Sequence, residues 1–470
     1  MKKTVFITGA TGTMGWATVQ EFLPRMERFR LTLLARPSKK NRKKLAPLMG
    51  REDIRIVWGD LKDPEAVAEG VRDADYVLHI GGMVSPAADW YPELTLKTNV
   101  AAARNIAAAV TARPDQDKVK VCYIGSIAQL GDRRPPHHWG RTGDPLTPSK
   151  YDAYAVSKIL AERAIVDSGI KHWVCFRQTG ILCPELLLKG SDPITFHVPL
   201  RGVLEWSTAE DSGRLMANLC DTDLPDSFWN RYYNIGSGES YRLTNYEFEA
   251  LLLKAMGCPR PEKVFDASWF ALKNFHGQWW EDSDRLEELL HFRSGKSCEE
   301  YFEDMAARTP WYFKLAPLAP AALIKMGMGM IAKKDHGTRY YLKNNDQGHI
   351  EAMYGSRETY DAIPSWSAQM NEILNCTPEK RGERTPDKAV RLDHGYDESK
   401  PASELSLADM RQKAAHEGGE CLSEEMRSGD LATPLRWRCR HGHEFTGSPS
   451  LILHGGHWCP ECLKQEVLEE

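Results

Sequence analysis

Apolar residues in the first 180 positions fall into short runs separated by longer stretches with helical spacing. The runs at 5–7 (VFI), 30–35 (RLTLLA), 54–58 (IRIVW), 75–80 (DYVLHI), 119–125 (VKVCYIG) and 172–177 (HWVCFR) read as buried strands. Between them, 94–112 is alanine-rich with Asn99 inside it, and YAVSKILAERAIV from Tyr154 has a strong helical pattern. Strands alternating with helices predict an α/β fold built on a doubly wound parallel sheet. Past residue 182 the alternation gives way to an irregular, aromatic stretch holding Phe196, Trp206, Trp269, Trp279 and Trp280.

The first strand runs straight into Gly9, Gly12 and Gly15, in KTVFITGATGTMGW, and a helical pattern follows at once. That order offers bare backbone N–H groups and a positive helix end to a pyrophosphate. The first glycine allows the tight turn, the second admits the phosphate, and the third lets helix and strand pack closely. A dinucleotide site is therefore predicted, with Thr11 and Met14 among its contacts. The strand 30–35 ends in Arg36, with Ser38, Lys39 and Lys40 beyond. An acidic residue there binds a ribose 2′-hydroxyl and repels a 2′-phosphate, whereas an arginine does the reverse, so NADP is favoured over NAD. A solvated basic turn is the plain alternative. Asp60 follows the strand 54–58 and can accept from an adenine amino group, with Leu61 beside it. Helix capping is the other reading of Asp60, although Asp63 before Pro64 suits that role better.

Tyr154 and Lys158 stand four residues apart in the helical pattern, on one face. A phenol titrates near ~10 and is a poor base at neutral pH unless an adjacent ammonium stabilises its phenolate. Ser126 ends the strand 119–125, where parallel strands converge on a ligand crevice, and its hydroxyl could hold a substrate oxygen while Tyr154 passes the proton. Tyr396 and Lys400 repeat the spacing in a polar stretch without helical periodicity and read as coincidence.

TGATGTMG, Asp60, Asn99, Ser126 and YAVSK together resemble the extended branch of the short-chain dehydrogenase/reductases, the NAD(P)-dependent epimerases and dehydratases, over roughly residues 3–310. RQTGIL at 177–182 is similar to the family's segment after the sixth strand, with Gln178 where a proline is usual. The resemblance implies a Rossmann fold and a catalytic triad of Ser126, Tyr154 and Lys158, with Lys158 also holding the nicotinamide ribose. Sugar 4,6-dehydratases of the family carry an acidic pair after the catalytic Ser or Thr; here Ile127 and Ala128 follow Ser126, which disfavours dehydration. Hydride transfer at a carbonyl or alcohol carbon is the expected activity. The alternatives are a nucleotide-sugar epimerase working through a transient ketone, and a non-catalytic NADPH sensor whose tail contacts a partner or nucleic acid.

The length of 470 residues exceeds one ordinary domain. A net charge of -4 and a pI near 6.5 give no basic field for nucleic acid. Mean hydropathy is -0.48, and the most apolar run, 315–332, holds two prolines and Lys325, so it reads as a buried or amphipathic helix. The apolar run in MKKTVFITG is too short for an export signal. Seven of the eleven cysteines, from Cys122 to Cys376, are scattered, as expected of a reduced cytoplasmic protein. A homodimer acting on a small carbonyl, alcohol or sugar compound, without a membrane partner, completes the expectation.

Four units are expected: a Rossmann domain at 1–182, a smaller α/β substrate lobe at 183–310, an extension and linker at 311–404, and a small zinc-binding module at 405–470. His197 and Arg201 are candidate contacts for an anionic or sugar group. The tyrosine-rich 335–365 is expected to fold on the lobe, and 376–404, rich in charge and proline, reads as linker. In the tail, Cys439 and His443 precede Cys459 and Cys462, a Cys/His pair followed by a Cys-x-x-Cys knuckle. That set suits tetrahedral zinc; a redox Cys-x-x-Cys would need no upstream pair. The segment resembles small zinc-ribbon modules with a WxCxxGHxW…CPxC pattern, with Cys421 and His441 as spare donors. A module this small cannot build an adequate core alone, so the metal would be structural. Arg436, Arg438 and Arg440 alternate nearby, but the acidic flank favours docking on the enzyme half or a partner subunit over nucleic acid.

Overall fold

Seven strands, β1 (Lys3–Thr8), β2 (Phe29–Ala35), β3 (Ile54–Trp58), β4 (Tyr76–His79), β5 (Lys120–Ser126), β6 (His172–Gln178) and β7 (Arg231–Ile235), form one parallel sheet in the order β7-β6-β5-β4-β1-β2-β3. This computed structural model describes residues 2–188, 192–310, 319–368 and 383–469. Alternate residues of β1 face opposite sides: Val5 and Ile7 pack with Leu31, Leu33 and Phe22, while Phe6 packs with Val67 and Ile106. Helix α1 (Thr13–Phe22) covers the first face; α2 (Pro92–Thr111) and α3 (Ala153–Val166) cover the second. Strand order reverses between β1 and β4, which opens a crevice at their C-terminal ends.

The expected boundary at 182 does not follow the fold. Helix α4 (Ala209–Asp221) packs on α1, and β7 completes the sheet beside β6, so the dinucleotide half recruits chain from the expected lobe. Strand β7 is only five residues, RYYNI, inside an aromatic stretch, and its short apolar run carries no periodicity of its own.

The helix Ala321–Ile331 is amphipathic, as its sequence suggests. Ile324, Met328 and Ile331 lie on a lobe core around Phe196 and Trp269, and Leu323, Met326 and Met330 face outward. Among the described residues no helix is long and apolar enough to cross a membrane. Tyr341, Ile350, Met353 and Tyr354 pack with Ala271, so this part of 335–365 lies on the lobe. Residues 376–382 of the expected linker, Cys376 included, lie outside the described residues. The rest is packed: Arg384 is buried, bonds Glu247 at 2.8 Å and sits 4.8 Å over the Trp279 ring, and His394 meets Asp144 at 2.9 Å. A segment anchored through arginine and histidine looks like linker by composition, because its contacts are not apolar.

The tail holds helix α5 (Leu407–His416), the antiparallel strands β8 (Glu420–Cys421), β9 (Leu435–Arg438) and β10 (Glu444–Gly447), and helix α6 (Pro460–Leu468) around buried Trp437. It lies against α3: Leu451 enters the sheet's second core, Ser448 Oγ donates to Asp167 at 2.7 Å, and Tyr151 N–H donates to the Val467 carbonyl at 2.7 Å.

Two helical glycines give opposite expectations. A Cβ at Gly213 of α4 would lie 2.6 Å from the Ala17 carbonyl carbon, whereas one at Gly327 would meet nothing within 4 Å. Gly213→Ala should destabilise by about 1–3 kcal/mol through overpacking. Gly327→Ala should stabilise by about 0.5–1 kcal/mol, the usual helix gain. Thermal unfolding of both proteins checks the signs.

Candidate active site and metal centre

The glycine turn is shaped by close backbone approach. Gly9 has φ +70°, and a Cβ there would lie 2.7 Å from Gly81 Cα; a Cβ on Gly15 would lie 2.1 Å from the Gly9 carbonyl oxygen. Gly12 caps α1 with no side chain bonded to its first-turn amides, which leaves that positive end to an anion. Thr8 Oγ1 accepts from Gly81 N–H at 2.9 Å. Asn99 ties the loop after β4 to α3: its Oδ1 accepts from Met83 N–H at 2.7 Å, and its Nδ2 donates to the Met83 carbonyl at 3.0 Å and to Ser157 Oγ at 2.8 Å.

Arg36 is exposed just past β2, where its carbonyl accepts from Ser38 N–H at 2.8 Å. Ser38 caps the basic helix Lys39–Leu45, and Lys44 Nζ donates to the Thr11 carbonyl at 3.0 Å. Asp60 accepts from Lys62 N–H at 2.9 Å, and Asp63 takes the capping role by accepting from Glu65 N–H at 3.0 Å. The Leu61 carbonyl accepts from Asn105, and Leu61 Cδ1 lies 2.9 Å from where a Gly81 Cβ would stand.

Ser126 is the last residue of β5, Tyr154 lies in the first turn of α3 and Lys158 one turn on. The Ser126 hydroxyl, which accepts from Ala128 N–H at 3.2 Å, lies close enough to the Tyr154 phenol to favour its ionised form. Lys158 Nζ donates to the Ile124 carbonyl at 2.7 Å and sits 6.0 Å from the Tyr154 ring centroid. Burial pushes the Tyr154 phenol up to about 12, with the nearby Ser126 hydroxyl acting in the opposite direction. Burial also draws the Lys158 ammonium down to about 8, against the opposing charge of Glu162. The second Tyr/Lys pair is in no helix; Tyr396 packs on the tail core and Lys400 pairs with Asp409 at 2.5 Å.

A cavity of about 710 Å³ begins at Tyr151, Asp152 and Ala153, the residues that lead into Tyr154. Its walls bring together groups no motif announced. Asp89 is pushed up to about 7 by burial and by the neighbouring Asp152 carboxylate. His349 stacks between Tyr151, at 4.4 Å between ring centroids, and Tyr341, at 3.9 Å, with its Nδ1 3.0 Å from Asp346. Tyr151 holds φ 68°, a left-handed backbone rare outside glycine. His197 also lines the cavity, its Nε2 donating to the His336 carbonyl at 2.6 Å, whereas Arg201 is exposed and off the wall.

In the tail, the donor atoms of Cys439, His443, Cys459 and Cys462 lie within 4.8 Å of one another. Cys439 and Cys462 Sγ are 3.5 Å apart, and His443 Nδ1 is 3.4 Å from Cys462 Sγ and 3.7 Å from Cys459 Sγ. Tetrahedral zinc, with Zn–S near 2.3 Å and Zn–N near 2.0–2.1 Å, separates such donors by about 3.5–3.8 Å, so the set fits that ion. Cys439 follows β9, His443 precedes β10, and Cys459 caps α6. Cys421 is not in the group, and His441 falls in a second set that shares Cys462 and adds the exposed Glu466. Arg436 and Arg438 pair with Glu444, and Arg440 pairs with Glu466.

The parallel sheet, its order reversal and the glycine turn at that point define a Rossmann-type α/β protein. Residues 5–180 match the model of the NAD dependent epimerase/dehydratase family. UDP-N-acetylglucosamine 4,6-dehydratase (inverting) of Campylobacter jejuni is 29% identical over 106 residues, 22% of this chain and 31% of that protein. UDP-glucose 4-epimerase of Rickettsia bellii is 27% identical over 113 residues, 23% of this chain and 33% of that protein. The chain thus spans about a third of the length of the curated relatives it matches. Among solved structures, dTDP-glucose 4,6-dehydratase of Bacillus anthracis in complex with NAD superposes with a TM-score of 0.53 at 14% identity, over 66% of this chain and 97% of that one. UDP-glucuronic acid 4-epimerase of Bacillus cereus, in complex with UDP-glucuronic acid and NAD, gives 0.51 at 16%, over 67% and 100%. The structural likeness is one of fold.

Proposed function

We propose that the protein is an NAD(P)-dependent oxidoreductase that works at a carbonyl or alcohol carbon. The observation that carries this reading is the convergence of Ser126 at its strand end with Tyr154 and Lys158 on one helix face, Lys158 Nζ 6.0 Å from the Tyr154 ring centroid, with the glycine cradle in the same crevice. A bound nicotinamide supplies the hydride exchange. Ser126 holds the substrate oxygen by its hydroxyl, and Tyr154 gives or takes the proton at that atom. Lys158, fixed on the Ile124 carbonyl, lends its positive charge to the phenolate form of Tyr154. An intact Tyr and Lys favour catalysis over a sensing role.

Nucleotide-sugar epimerisation ranks second. The cavity next to Tyr154 carries Asp89, Asp152 and Asp346, and Lys150 is the one lysine or arginine among its described lining residues. The Lys150 ammonium already donates to the Glu469 carbonyl. A diphosphate calls for several arginine or lysine contacts, and the described residues of this wall supply one lysine, already engaged. The favoured substrate is therefore an alcohol or carbonyl compound without a diphosphate.

Arg36 with the basic helix after it, and no carboxylate at that strand end, supports NADP as cofactor. The Cys/His set of the tail supports one structural zinc, which would hold β9, β10 and α6 together.

Three measurements test these assignments. NADP should bind more tightly than NAD, and Arg36→Ala should lose that preference; tighter NAD binding by the natural protein reverses the cofactor assignment. Metal analysis should find about one zinc per chain, the capacity of one tetrahedral donor set. Cys459→Ser should lose it and lower the thermal midpoint, and retained stoichiometric zinc would mean other ligands. In NADPH oxidation assays over a panel of carbonyl compounds, Tyr154→Phe should slow turnover by ~100-fold or more while cofactor affinity survives. Tyr396→Phe should leave the rate unchanged, and a near-normal rate in Tyr154→Phe rejects the mechanism.

A further inference from the structure

The tail reaches the catalytic residues through a buried polar chain. Glu162 lies one helical turn beyond Lys158 on α3, and Glu162, Arg177 and Gln129 are fully buried, with His457 2% exposed. His457 Nε2 lies 2.8 Å from Glu162 Oε1, and Arg177 Nη2 donates to the same oxygen at 2.7 Å and to the Gly455 carbonyl at 2.5 Å. The other carboxylate oxygen, Oε2, accepts from Gln129 Nε2 at 3.1 Å. Gln129 Oε1 in turn accepts the backbone N–H of Ser126 at 2.7 Å. The backbone at 455–456 comes too close for side chains: a Cβ on Gly455 would lie 2.8 Å from Tyr232, and one on Gly456 2.0 Å from the Asp144 carbonyl oxygen.

We propose that the C-terminal Cys/His module is a positioning element of the oxidoreductase site, in which His457 and the Gly455 carbonyl hold the Glu162–Arg177 pair and, through Glu162, orient Gln129, Ser126 and Lys158. This rests on the reading of Ser126, Tyr154 and Lys158 given above. A buried carboxylate keeps its place only when its lone pairs are met, and the tail supplies His457 as one of three partners. Without it, Glu162 moves toward Arg177 and away from Lys158, and Gln129 loses its anchor beneath the Ser126 amide. Glu162, Gln129 and His457 act through other residues and are positioning residues, not catalytic ones.

The test follows Lys158 itself, so it needs no substrate. Lys158 is faced by Tyr154 and Glu162 on its own helix, Tyr123 on β5 and His79 on β4. In full-length protein with lysine labelled with ¹³C at Cε, its resonance is assigned with Lys158→Met and titrated, with zinc content and NADP affinity measured alongside. Glu162→Gln should lower the Lys158 midpoint by about one pH unit or more, the effect of removing a close opposite charge. His457→Leu should lower it by less, and His457→Gln, which restores a donor, should bring it back. Should Glu162→Gln or His457→Leu fail to fold, Gln129→Leu cuts the same chain on its serine side and should also lower the midpoint. An unchanged Lys158 midpoint in folded His457→Leu or Gln129→Leu protein overturns the proposal. A protein that oxidises no NADPH yet shows these shifts would retain the coupling and lose only the oxidoreductase reading.

Discussion

The ion pair between Glu162 and Arg177, closed off from water on every side, is the constraint around which the molecule is arranged. Two charges of that kind are costly to bury, and the attraction between them offsets the cost only when the remaining donors and acceptors are also met. Arg177 and the Glu162 partners hold the carboxyl down to about 2, despite burial that pushes it up. The partners come from β6, from the short helix after β5 and from the tail, so one carboxylate joins three parts of the chain that are remote in sequence.

Around that pair, the dinucleotide half follows the general logic of parallel sheets. Catalytic candidates stand at strand ends and helix starts, where backbone geometry is fixed and side chains project into the crevice. Ser126 and Tyr154 meet because β5 ends where α3 begins its first turn. The lobe and the extension then add a wall of aspartate, histidine and tyrosine that the relatives' names alone would not suggest.

What could be read in the sequence was whatever is local. Strands β1 to β6 were legible because buried parallel strands are continuous apolar runs, and the glycine turn because its spacing is rigid. Cys439, His443, Cys459 and Cys462 converge as their spacing indicates, since a hairpin and a helix cap bring such pairs together. Strand β7 was hidden by its brevity within an aromatic region. The His349–Asp346 pair and its stack on Tyr151 join positions about 200 residues apart, and no periodicity encodes such a meeting. The segment 383–404 misled by composition: charge and proline usually mean solvent, yet Arg384 and His394 are among its buried anchors.

The 295 positions between Glu162 and His457 also fix an order in time. A ribosome adds about 5–20 residues per second, so the helix bearing Glu162 emerges about 15–60 s before its last partner exists. During that interval Glu162 and Arg177 have each other and Gln129 but neither His457 nor the Gly455 carbonyl, whose places fall to water, and the pocket for Leu451 stays open. The dinucleotide half therefore cannot reach its final packing while the chain is still being made, and its maturation waits on the C-terminus.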